Sequence, residues 1–95
     1  MAGLNEPAHY FFPPASAYPL NRCLFLLKSD NAYRARFVAD ADAAMDELGI
    51  DPAHRAALRT FARDPLIALG AHPYLVFMAD LRLKMERAPA SFEHF

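Results

Sequence analysis

Residues 31–49 read Asn31-Ala32-Tyr33-Arg34-Ala35-Arg36-Phe37-Val38-Ala39-Asp40-Ala41-Asp42-Ala43-Ala44-Met45-Asp46-Glu47-Leu48-Gly49. Tyr33, Phe37, Ala41, Ala44, Met45 and Leu48 recur at spacings of three and four, the period of one face of an α-helix. Arg34, Arg36, Asp40, Asp42, Asp46 and Glu47 fill much of the remainder, as on a face turned to water. Asp30 or Asn31 supplies the N-cap, and Gly49 the left-handed residue that ends the helix, with Ile50 folding back on its last turn. The pattern predicts one amphipathic helix across this stretch. No alternating β-branched run competes with it anywhere, since the chain has only two valines and two isoleucines. The fold class predicted is all-α.

Working outward, the segment before it predicts a helix opened by Ser16 or Ala17, with Pro19 in an early helical position, running to about Ser29. From Cys23 to Leu27 this helix is apolar on every side. Such a helix wants burial all round, which a small domain cannot easily provide without a partner. Downstream, Asp51-Pro52 and Asp64-Pro65 are two copies of one start signal, an acidic N-cap followed by proline at the first helical position. They predict a third helix over about residues 52–63, with Ala57, Leu58 and Phe61 inward, and a short fourth over 65–69 closed by Gly70. A fifth runs over about 73–87. Tyr74, Met78, Leu81 and Met85 form one apolar stripe on it, and Val76 and Leu83 lie on another. Residues 19–88 therefore read as a compact single domain of about five helices. Residues 1–18 read as an extended arm: Tyr10, Phe11, Phe12 and Tyr18 stand among prolines that deny helix, with Glu6 the one charged side chain. Residues 89–95 form a C-terminal tail.

A chain of 95 residues is enough for one domain and not for two. Its hydrophobic content of 55% exceeds the usual ~45–50%. The surplus implies either a rich core or an apolar face kept for another chain. The formal net charge of -1 and the lack of a dense basic stripe argue against a nucleic-acid partner. A lone cysteine, Cys23, fits a reducing compartment, and no signal peptide or membrane span is legible. The expectation is a soluble cytoplasmic protein.

Chemistry of its own is not written in the chain. His9, His54, His72 and His94 show no H-x-D or H-E-x-x-H spacing, so no metal site is predicted. His54 reads as a wet-side residue in the first turn of its helix. His72 stands at the mouth of the last helix, where it caps the helix or faces a polar ligand. Cys23, inside an apolar run, reads as inert, because burial raises a thiol's pKa. No serine has a nucleophile-elbow context, paired acids such as Asp40 and Asp42 belong to a solvated face, and no phosphate loop exists. Catalytic residues in this chain: none.

Tyr18-Pro-Leu20-Asn21, the apolar helix to Lys28, and Asn31-Ala-Tyr-Arg34-Ala-Arg36-Phe37-Val-Ala39-Asp40 resemble the small (alpha) subunit family of protocatechuate 4,5-dioxygenase. The likeness continues through Ala44-Met45-Asp46-Glu47-Leu48, Ala57-Leu58, Arg63-Asp64 and Leu69-Gly70-Ala71-His72-Pro73-Tyr74-Leu75. At that last place the family carries a G-G-N-x-Y-[FL] element. The resemblance covers residues 18–83. It implies a non-catalytic helical subunit of an extradiol (class III) dioxygenase, whose separate large subunit holds Fe(II), a catechol-type substrate and dioxygen. The small subunit caps that active site. The resemblance further implies Tyr18, Leu24, Phe25, Tyr74 and Phe77 at the partner interface, and His72 and Phe92 nearest the substrate pocket. An alternative keeps the fold without the dioxygenase partner: a stand-alone interaction protein, its apolar faces satisfied in a homodimer. A helix-turn-helix DNA binder is disfavoured by the missing basic recognition helix.

Overall fold

The computed structural model describes residues 14–87, and every regular element among them is helical. After Pro14, a 3-10 turn at Ala15–Ala17 leads into α1 (Tyr18–Ser29) and α2 (Asn31–Ala39). Then come α3 (Ala41–Glu47), α4 (Pro52–Thr60), α5 (Arg63–Ala68) and α6 (Pro73–Arg87). The all-α expectation holds. Among the described residues no helix is long and apolar enough to cross a membrane.

The core forms where α1 packs on α6 and α2 lies against both. Leu20, Cys23, Leu24 and Leu27 of α1 join Tyr33 and Phe37 of α2 and Val76, Ala79 and Leu83 of α6, all fully or almost fully buried. On α6 it is thus the Val76–Leu83 stripe that turns inward. Expected burial around the whole of α1 does not occur, because Phe25 on its outer face stays half exposed. Tyr33 also ties elements together: its hydroxyl donates to the Ala44 carbonyl of α3 at 2.8 Å and lies 3.6 Å from Cys23 Sγ.

The single helix expected over 31–49 is two helices. Asp40 breaks it with an extended backbone (φ -155°, ψ 92°), its N–H closing α2 on the Arg36 carbonyl and its side chain accepting the Ala43 N–H to open α3. A short carboxylate that can bond the backbone beyond it competes with helix continuation, and here it wins. Arg34 also departs from its expected wet face. It is buried, donating from Nη1 to the Leu27 carbonyl at 2.9 Å, from Nη2 to Asn31 Oδ1, and from Nε to Glu86 at 3.2 Å. It satisfies a carbonyl left orphaned at the end of α1 and clamps α1, α2 and α6 together. On the surface, a bidentate Arg36–Glu47 pair (2.9 and 3.0 Å) spans α2 and α3.

Of the two acid–proline signals, only the first works as read. The Asp51 side chain accepts from the Ala53 N–H, with Pro52 at the start of α4. Helix α5 instead starts two residues before Pro65, so Asp64 lies inside its first turn, almost fully exposed and paired with Arg63. The shift follows from Phe61, which takes the left-handed conformation (φ 49°) at the end of α4 and turns the chain early. A non-glycine residue pays about 1–2 kcal/mol for that. His54, expected on the wet side of α4, is buried, and its Nδ1 has no hydrogen-bond partner. The first turn of α4 faces the core more than its sequence suggested.

Candidate functional site

Two of the segments that carry the resemblance, about 50 residues apart, are joined by one side chain. Asn21 projects from the first turn of α1 toward the turn between α5 and α6. Its Nδ2 donates to the Ala17 carbonyl (3.1 Å) and the Gly70 carbonyl (3.0 Å), and its Oδ1 accepts the His72 N–H (2.8 Å). The turn is a helix C-terminus of the Schellman type. The Gly70 N–H bonds the Ile67 carbonyl and the Ala71 N–H bonds Leu66, with Gly70 at φ 107°. A Cβ on Gly70 would come within 2.9 Å of Ala17 Cβ and 3.0 Å of Pro14 Cδ, so the residues leading into α1 rest directly on this glycine.

His72 then opens α6: its Nδ1 accepts the Tyr74 N–H at 3.1 Å. Of the two roles open to His72, the structure displays the helix cap. Tyr74 and Phe77 follow on the outer face of α6, 56% and 63% exposed, and Tyr18 and Phe25 stand on the outer face of α1, 63% and 50% exposed. The Lys28 ammonium lies 5.3 Å from the Phe25 ring centroid, a cation–π contact that still leaves half the residue in solvent. Leu24 is corrected: it is fully buried in this chain's own core, because it falls on the inner face of α1 with Leu20 and Leu27. It offers a partner no surface. Phe92 lies outside the described residues.

Among the described residues the geometry supplies surface and rigidity. Burial pushes the Cys23 thiol up to about 11, only partly offset by its contact with Tyr33. Burial likewise raises the Tyr33 hydroxyl well above its ordinary range, and the neighbouring Cys23 adds to the effect. Among the described residues no three His, Cys, Asp or Glu side chains converge as metal ligands would.

One concavity was not legible in the sequence. A shallow open groove of about 530 Å³ lies between α4 and α5, walled by Ala53, Ala56 and Ala57 on one side and Pro65, Ala68 and Leu69 on the other. The alanines are its signal, small side chains on facing helix walls. Asn21 and Arg34 were also missed as structural keys. An amide placed in an otherwise apolar helix was the available cue for the first.

A family model described as "Aromatic-ring-opening dioxygenase LigAB, LigA subunit" matches residues 20–93. No curated protein and no solved structure matches the chain. The matched region takes in Asn21, the Gly70–Tyr74 turn and all of α2 to α6.

Proposed function

We propose, because this chain belongs to the LigA subunit family of aromatic-ring-opening dioxygenases, that it is a small, non-catalytic subunit capping an active site held by a separate large subunit. In this reading the large subunit carries the Fe(II) that activates dioxygen for ring cleavage. This chain's share is to bind the large subunit, close the mouth of its active site and exclude water from it.

The observation that carries the reading is the set of four large aromatics, Tyr18, Phe25, Tyr74 and Phe77, at least half exposed on helices whose inner faces already fill the core. Covering the exposed half or more of each is worth about 1–2 kcal/mol. Asn21 holds the starts of these two helices in fixed relation, so the surface is formed before the partner arrives. His72, with Nδ1 engaged as a cap, acts by placing Tyr74. Phe92 is proposed to reach the pocket from the tail beyond α6.

The test is co-expression with a large catalytic subunit of this dioxygenase family. A stable heteromer should form, cleaving catechols only when both chains are present. If the chain neither co-purifies with that subunit nor changes its activity, the reading fails. A stable homodimer indifferent to the large subunit would favour a stand-alone interaction protein.

A further inference from the structure

The groove between α4 and α5 has no place in the proposed capping surface, which lies on α1 and α6, and it does not depend on the dioxygenase assignment. We infer that it is the berth of the chain's own N-terminal segment, with Tyr10, Phe11 and Phe12 lying against its alanine walls.

Position is the first argument. Pro14, the first described residue, rests on Gly70, and Gly70 directly follows Leu69, which lines the groove. The chain upstream of Pro14 therefore starts beside the turn that follows the groove's α5 wall. Phe12 and Tyr10 lie two and four residues before Pro14, a reach of up to ~7 and ~14 Å at 3.3–3.6 Å per residue. The α4 wall from Ala53 to Ala57 is about 6 Å long at 1.5 Å per residue, so the segment spans it.

Chemistry is the second argument. Three consecutive aromatics precede Pro13-Pro14, so the segment offers bulky apolar side chains, no charge and prolines that disfavour helix. The walls are nearly all alanine, proline and leucine, a surface hollowed by missing side-chain volume. The groove's 530 Å³ falls within the range of pockets that hold aromatic-sized groups, ~300–1,000 Å³.

The C-terminal tail is the rival occupant within the chain, and geometry disfavours it. Helix α6 has 15 residues and carries the chain about 22 Å from the Gly70 turn. Glu86, one residue before its end, is bonded to Arg34 of α2. Residues 88–95 thus begin beside α2, about 22 Å along α6 from the turn on which Pro14 rests.

The test is methyl NMR on the full chain with labelled alanine. The methyls of Ala53, Ala56, Ala57 and Ala68 should show contacts to aromatic protons and upfield ring-current shifts. Both should disappear in the Tyr10→Ser/Phe11→Ser/Phe12→Ser variant. A sample mixing labelled and unlabelled chains should show the contacts to be intramolecular. Unshifted methyls, shifts that survive the triple substitution, or contacts found only between chains would each overturn the inference, the last pointing to a second copy.

Discussion

Asn21 uses both amide protons and its carbonyl oxygen, and two of its three bonds land on the turn between α5 and α6. Replacing it with alanine should cost about 2–3 kcal/mol in urea unfolding, from three bonds of roughly 1 kcal/mol each. Asn21→Asp should be no better: it keeps the acceptor for His72 but turns a carboxylate toward two carbonyls. A loss within about 0.5 kcal/mol, the scatter of surface substitutions, would refute the role assigned to Asn21. Cys23 gives a different signature. Its thiol titrates near 9.0 when unfolded and about 11 in the fold, so the native state keeps a proton the unfolded state gives up. The stabilisation is complete below about pH 9 and lost as pH rises through about 11, a fall of roughly 2–3 kcal/mol. Cys23→Ala should flatten that fall in a pH series of denaturation curves, leaving the share owed to Tyr33, which is shifted in the same direction.

Helix existence was written in the spacing of apolar residues, and helix boundaries were written less clearly. The stretch around Pro73 and Gly49 was legible because proline and glycine act locally, through fixed φ and the left-handed region. Asp40 was not, because a carboxylate on a helix can equally face water or cap the next helix, and tertiary packing decides which. The expected consequence is asymmetric. Asp40→Ala should destabilise the protein by about 0.5–2 kcal/mol through loss of the cap on α3. Asp64→Ala should change stability by about 0.5 kcal/mol or less, since that carboxylate is exposed and caps nothing. Equal effects from the two would show that the break at Asp40 is not held by its side chain. Arg34 teaches the same lesson from the charged side. On a helical wheel it flanks Tyr33 and Phe37, and only the arrival of α1 and α6 makes that flank interior. Arg34→Lys should not rescue it, because one ammonium cannot replace three differently directed N–H groups. We expect a loss of about 2–3 kcal/mol by equilibrium unfolding for Lys as for Ala.

For the molecule as a whole, the surplus of apolar residues was readable from composition, but its division between core and surface was not. Leu24 and Phe25 are neighbours with the same hydrophobic character, and a rotation of 100° sends one inward and the other to solvent. They should therefore fail differently when charged. Leu24→Asp should abolish folding, whereas Phe25→Asp and Phe77→Asp should leave unfolding within about 0.5 kcal/mol of the parent. Each of the latter two should weaken binding to the large subunit by about tenfold, at about 1–2 kcal/mol of apolar burial lost per aromatic. If both exposed substitutions leave the heteromer intact, the capping face lies elsewhere. The lock at Asn21 also bears on the order of events during synthesis. It closes a loop of about 50 residues, so the N-terminal helix cannot be fixed to its neighbour until His72 has emerged from the ribosome. A product truncated before His72 would carry the aromatic residues of α1 without the bond that ties the start of α1 to the start of α6. Only a chain extended past His72 holds both helices in their fixed relation, the form that the proposed heteromer would require.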